Sequence, residues 1–419
     1  MIQFSRHILD NGLTVICHTD KSTPFVSVNV LYKVGSRNEQ ADKTGFAHLF
    51  EHLMFGGSTH IEDYDKHVQL AGGESNAYTT NDLTNYYITI PASNIETALW
   101  LESDRMAGLN LSPSSLDIQK HVVIEEFKQR YLNNPYGDLW LKLRPLAYKV
   151  HPYRWATIGV SPEHIERATL EDVGAFFRQF YAPDNAIVSI CGNIAEDKAL
   201  ELVKKALQLV EKWFGDIPPA HGPVSHIPAE PRQTEERRSI VPDNNVPADA
   251  IYKVFHMGGR DSDDFYACDI ISDILSNGQS SRLYVNLIKN QRLFSGIDAY
   301  VSGDRDPGLF IFSGKLSEGI DIRQAEAAID QEIEHFIKDE ITVREVEKII
   351  HKTEARISYS EISYQSKASN LAFFEFLGDV DLINTEGKRY NDITVDKIKT
   401  TARELFRKEN CSTLWYLKK

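Results

Sequence analysis

Two histidines and a glutamate fall within five residues at His48-Leu49-Phe50-Glu51-His52. On a helix, positions i and i+4 lie one turn apart on the same face. Both imidazoles of such a pair can reach one ion. Glu51, at i+3, stands on the same side, near that ion without needing to bind it. The order reverses the H-E-x-x-H pattern, and the chemistry it suits is hydrolysis at zinc. A catalytic zinc takes three protein ligands and leaves one position for water. It lowers the pKa of that water to about 7, and a neighbouring carboxylate takes the proton. Glu51 is the candidate base. The flanks Gly45-Phe46-Ala47 and Leu53-Met54-Phe55 are apolar. The polar trio therefore sits on a helix built for burial, where His and Glu need partners.

A third ligand must come from elsewhere. The stretch from Gln119 to Phe127 reads as a helix, with Glu125 and Glu126 beside the apolar run Val122-Val123-Ile124. Gln119 and Glu126 lie two turns apart and share a face. Spacing alone does not choose between Glu125 and Glu126. His60, His67, His121 and His151 are rival ligands, each read as structural or exposed.

The elements that must position these residues come in blocks. Asp10-Asn11-Gly12 between two β-prone runs signals a hairpin. A strand over 26–34 follows, then a helix over 45–55 and another ending at Gly72-Gly73. Strands at 76–80 and 85–90 form a second hairpin. Helices are expected near 94–107, 114–133, 136–148, 163–180 and 196–213, with a buried strand at 186–192. Blocks rather than strict alternation give an α+β class. Residues 217–236 hold Pro218, Pro219, Pro223, Pro228 and Pro231 and read as a linker. The expected domains are thus 1–216, carrying the metal motif, and 237–419. The C-terminal domain reads as a copy of the N-terminal one, because Tyr32-Lys33-Val34 recurs as Tyr252-Lys253-Val254 before a similar order of elements. At that offset His48, Glu51 and His52 map to Cys268, Ile271 and Ser272, so the copy lacks the metal chemistry.

Composition narrows the function further. The 419 residues carry 46 Lys plus Arg against 60 Asp plus Glu, a net charge of −14. With a pI near 5.5, a nucleic-acid binder working by net charge is excluded. No apolar run reaches the length of about 20 residues a membrane helix needs. Four scattered cysteines are not a disulfide scaffold. No signal peptide is read at the N-terminus. These features give a cytoplasmic expectation, or a periplasmic one if a leader has been removed.

The run Gly45-Phe46-Ala47-His48-Leu49-Phe50-Glu51-His52-Leu53-Met54-Phe55-Gly56-Gly57 resembles the signature of the pitrilysin/insulinase (M16) zinc metallopeptidases. The resemblance continues through Gly73 to Thr79, Thr84 to Tyr87, Val122 to Glu126 and Pro152-Tyr153. The two-repeat layout is similar to small bacterial subunits related to the mitochondrial processing peptidase. It implies two homologous α/β-sandwich-like halves, each an antiparallel-rich sheet with helices packed on it, in a clam-shell architecture. It implies one Zn2+ per chain, held by His48, His52 and Glu126, with Glu51 as general base. Asn76, Ala77 and Tyr78 would form the edge strand that binds an extended peptide. One position departs: many members have Glu where this chain has Gln119, a group near the metal that tunes it. The implied substrates are unstructured oligopeptides.

In active relatives an Arg and a Tyr from the C-terminal half bind the scissile peptide. Their places here fall on Ile288 and Ser295, with Arg282, Tyr284 and Arg292 out of register. The expectation is a catalytic subunit whose heterodimer partner supplies Arg and Tyr, with a homodimer as the alternative. Two other readings are a catalytically silent scaffold subunit and a maturation protease for one dedicated peptide.

Overall fold

The computed structural model describes residues 1–194, 199–220 and 226–419. The expected helix at 196–213 begins within the described residues at Ala199, and 196–198 lie outside them. So does Pro223 of the linker.

The first repeat opens with strands β1 (Ser5–Ile8), β2 (Thr14–Thr19) and β3 (Phe25–Tyr32), then helices α1 (Phe46–Leu53) and α2 (Tyr64–Leu70). The hairpin β4 (Glu74–Thr79) and β5 (Thr84–Pro91) follows, with Thr79 opposite Thr84 and Asn76 opposite Tyr87. Next come helices α3 (Ile95–Ala107), α4 (Pro113–Phe127), α5 (Leu139–Ala147), α6 (Pro162–Glu166) and α7 (Leu170–Phe180). Strand β6 (Ala186–Gly192) and helix α8 (Ala199–Phe214) close it.

The second repeat runs β7 (Arg237–Asp243), β8 (Ala250–His256), α9 (Phe265–Ser276), β9 (Phe294–Val301), β10 (Leu309–Leu316), α10 (Ile322–Lys338) and α11 (Val343–Ser360). It ends with α12 (Tyr364–Leu377), α13 (Leu382–Asn391), α14 (Val395–Leu405) and β11 (Cys411–Lys418).

The sheets repeat one topology. The first has the order β1-β2-β6-β3-β5-β4 and the second β7-β11-β8-β10-β9. In each, one parallel pair (β2 with β6, β7 with β11) sits in an otherwise antiparallel sheet. The chain is α+β with two homologous halves, as the spacing predicts. The first half carries β1 as an additional edge strand.

The compact units do not follow a single cut at the proline-rich stretch. One consists of 1–128, 155–227 and 358–385; the other of 129–154, 228–357 and 386–419. Each repeat thus contributes one helix to the other's unit: α12 covers the first sheet and α5 the second. The cause is apolar burial on both faces of each sheet. Ala368, Leu371, Ala372 and Phe374 of α12 join Ile16, Leu31, Ile187 and Cys191 in one core. Leu143 and Ala147 of α5 join Val254, Leu309, Ile311 and Leu414 in another. This accounts for β6, which is buried along its whole length where an ordinary antiparallel strand alternates. Among the described residues no helix is long and apolar enough to cross a membrane.

Candidate metal centre

Helix α1 is short, and its apolar side fixes it. Phe46, Ala47, Leu49, Phe50 and Leu53 are buried. Phe50 stacks on Phe176 and Tyr181 with ring centroids 5.0 Å away in each case. That leaves the opposite face to His48, Glu51 and His52, which are half-buried. The two imidazole rings meet α4. His48 Nε2 lies 3.1 Å from Glu126 Oε2, and His52 Nε2 lies 3.3 Å from the same oxygen. The imidazoles stand edge-on, centroids 4.9 Å apart. Among the described residues these three form the one group whose donor atoms all lie within 4.8 Å of one another.

The donor set fits zinc. Two imidazole nitrogens and one carboxylate oxygen are the ligand types of a catalytic zinc site. Ligands about 2 Å from a tetrahedral ion stand about 3.3 Å apart, the size of the separations to Glu126. Glu125, left open by spacing, points away: its carboxylate is 63% exposed and pairs with Lys128 at 2.7 Å.

Glu51 stands beside this set rather than in it. Its Oε2 lies 3.5 Å from His48 Nδ1 and accepts a hydrogen bond from Thr79 Oγ1 at 2.5 Å. Burial raises its pKa, but the bonds from His48 and Thr79 outweigh that and hold the carboxylate below its ordinary range. Burial likewise disfavours a charged His48, yet the hydrogen bonds to Glu126 and Glu51 prevail and raise it to about 9.

Thr79 ends β4, so that strand and Glu51 are in contact. β4 is the outermost strand of its sheet. Asn76 and Tyr78 are exposed and Ala77 is half-buried. Asn76 Oδ1 accepts the Ala77 N–H at 2.8 Å. Gln119 lies half-buried on α4, with Nε2 facing Gly56 just past α1. It makes no hydrogen bond to the trio among the described residues.

The rival histidines are engaged elsewhere. His60 bonds Asp104 at 2.6 Å. His67 packs on Trp100. His121 bonds the carbonyl of Asp117, and His151 lies 3.2 Å from Asp306.

The copy has no such centre. α9, which follows β8 as α1 follows β3, reads Phe-Tyr-Ala-Cys-Asp-Ile-Ile-Ser-Asp-Ile-Leu-Ser, without a histidine or a glutamate. Cys268, Ile271 and Ser272 are all buried there. Ile288 packs against the core of its unit. Ser295, exposed on β9, donates to the Lys315 carbonyl. Arg282 pairs with Glu345 at 3.0 Å, a structural contact. Arg292 is exposed with φ 55°.

Sequence reasoning missed two groups. Thr79 falls within the run that carries the resemblance, but nothing in its spacing ties it to Glu51. Glu39, whose carboxylate meets the start of α1, lies outside any helical period that would link it to the motif.

A profile described as Insulinase (Peptidase family M16) matches residues 14–138, and one described as Peptidase M16 inactive domain matches 167–353. The zinc protease PqqE of Helicobacter pylori is 30% identical over 413 residues, covering 98% of this chain and 91% of that protein. The chain belongs to peptidase family M16. Another relative, the uncharacterized zinc protease YmxG of Bacillus subtilis, is 23% identical over 408 residues, 96% of this chain and 95% of that one. Among solved structures, a protease from Helicobacter pylori superposes with a TM-score of 0.92 at 29% identity, covering 99% of this chain and 100% of its own. A peptidase M16 inactive domain from Pseudomonas fluorescens superposes at 0.86 with 16% identity, covering 100% and 98%, and shows the fold alone. The match to an inactive-domain profile falls mainly on the half whose α9 lacks the motif.

Proposed function

We propose that this chain is a zinc endopeptidase acting on unstructured oligopeptides, with one ion held by His48, His52 and Glu126. The observation that carries the reading is the division of labour on α1. Two of its side chains converge with Glu126, while the third, Glu51, is held apart by Thr79. A bound zinc would supply a Lewis acid and an acidified water. Glu51, held by Thr79 beside the two histidines, would accept a proton on its carboxylate and return it to the leaving amine, the ordinary work of a positioned carboxylate. An extended peptide adds to the free edge of β4 by backbone hydrogen bonds, displacing Asn76 from the Ala77 N–H. Backbone recognition of this kind favours unfolded chain over folded protein. Zinc in the names of relatives such as PqqE and YmxG supports the choice of metal.

The same reading makes the chain the catalytic member of a pair. Ile288 and Ser295 stand where the resemblance expects Arg and Tyr, so a partner subunit would supply them. A homodimer is the alternative.

Mass-spectrometric cleavage of a mixture of unstructured peptides by the zinc-loaded chain, with Glu51→Gln as blank, tests this. Turnover should fall about 10²–10⁴-fold in the variant while zinc stays bound. Cleavage by the chain alone would remove the need for a partner. Undiminished cleavage by Glu51→Gln would remove Glu51 as the base.

A further inference from the structure

Helix α1 is two turns long and starts at a residue that cannot cap it. A helix leaves its first N–H groups unsatisfied unless something meets them. Ser, Thr, Asp or Asn at the N-cap is the usual provider. Here the N-cap is Gly45, at φ 91°. A Cβ at that position would stand 2.7 Å from the Ile158 carbonyl oxygen. No side chain fits, so the cap must come from another part of the chain.

It comes from Glu39. Its Oε2 accepts the Gly45 N–H at 2.9 Å and its Oε1 accepts the Ala47 N–H at 2.8 Å. The side chain is almost fully buried, with the residue 7% exposed. Burial is the larger influence and pushes its carboxyl up to about 8, against the pull of those donors. A carboxyl withdrawn from water this far needs its bonds, so the contact is demanding on both sides. The residue next to Gly45 is pinned independently. Thr44 Oγ1 accepts the Val160 N–H at 3.0 Å and bonds His164 Nδ1 at 2.8 Å. Ala47, the second residue Glu39 holds, immediately precedes His48.

We propose that Glu39 is a positioning residue of the metal site: by gripping the N–H groups of Gly45 and Ala47 it fixes the first turn of α1, and with it the direction from which His48 presents its ring. The inference rests on the zinc reading above. Glu39 is not one of the three converging donors, and its two hydrogen bonds go to backbone N–H groups. Supporting groups of this kind change metal affinity about 10–100-fold when removed.

The test is the zinc dissociation constant of the full chain, by competition with a chromogenic chelator, alongside its melting temperature. Glu39→Gln keeps the shape but offers one accepting oxygen, and its amide group meets an N–H. Glu39→Ala offers none. Zinc binding should weaken about 10-fold in the first and toward 100-fold in the second. Asp20→Asn, which breaks the ion pair to Lys367 in the same unit, should lower the melting temperature and leave zinc affinity alone. A merely structural Glu39 would behave like Asp20. Zinc affinity within twofold of wild type in folded Glu39→Gln would overturn the proposal. If neither Glu39 variant folds, amide exchange of the wild type decides. The Ala47 N–H should exchange as slowly as that of Phe50, and fast exchange at Ala47 would overturn the proposal too. A wild type that binds no zinc removes the zinc reading and this inference with it. Tight wild-type binding left unchanged by Glu39→Gln removes the inference alone.

Discussion

Helix α1 follows β3 and lies beside an edge hairpin, and α9 follows β8 and lies beside another. In α1 the face away from the core carries His48, Glu51 and His52, half-buried and met by Glu126 and Thr79. In α9 the residues at the offset positions are Cys268, Ile271 and Ser272, and nine of its twelve residues are buried. Set side by side, the two helices show what the proposed metal centre asks of this fold. A helix that serves an ion must leave one face unsealed and recruit partners from distant segments. A helix relieved of that work buries the same face and joins the core. The copy therefore shows what this topology does by default.

Substitutions in the cores and at the helix starts of the two halves put that contrast at risk. The largest effects are in the cores. Phe50→Ala and Phe312→Ala each empty a fully buried aromatic site, at about 3–5 kcal/mol. Both should appear equally in denaturant unfolding. Only Phe50→Ala should also weaken zinc binding, because only it supports the metal helix; equal zinc loss in both would refute the contrast. Next is the ion itself. At a free zinc concentration of about 100 times its dissociation constant, binding stabilises the protein by about 2.7 kcal/mol. Amide exchange should slow in α1 and α4 on zinc addition and stay unchanged in α9.

Smaller effects lie at the helix starts. Gly45→Ala must hold a side chain at φ 91° against the Ile158 carbonyl. It should cost about 1–3 kcal/mol, read as a drop in melting temperature. Asp264→Ala, at the start of α9, loses an exposed pair with Lys397 worth less than about 1 kcal/mol. Smallest of all, Glu125→Ala should change stability by less than about 0.5 kcal/mol and leave zinc titration unaltered.

The sequence made the two histidines and Glu51 legible because helical spacing is periodic and the motif is compact. It placed a glutamate pair on a second helix, yet spacing could not pick Glu126 from Glu125. That depended on which way the end of α4 faces, and the resemblance favoured Glu126 where periodicity was silent. The repeat was visible in Tyr32-Lys33-Val34 and Tyr252-Lys253-Val254. The exchange of α5 and α12 was not, since either apolar helix suits either sheet and sequence order does not say which sheet each covers. The helix expected over 114–133 stops at Phe127 and passes into a wider turn over Lys128–Leu132. That over 163–180 breaks between Glu166 and Leu170, where Thr169 caps α7. Glu39 and Thr79 were invisible because their work is done through contacts that no periodicity encodes.

Everything proposed for this chain turns on one half holding a zinc ion while its copy holds none. Native mass spectrometry of the zinc-equilibrated chain and of Glu126→Ala puts that to the test. One zinc should ride on the wild type and none on the variant at the same free zinc concentration. A zinc retained by Glu126→Ala, or a second one on the wild type, would contradict it.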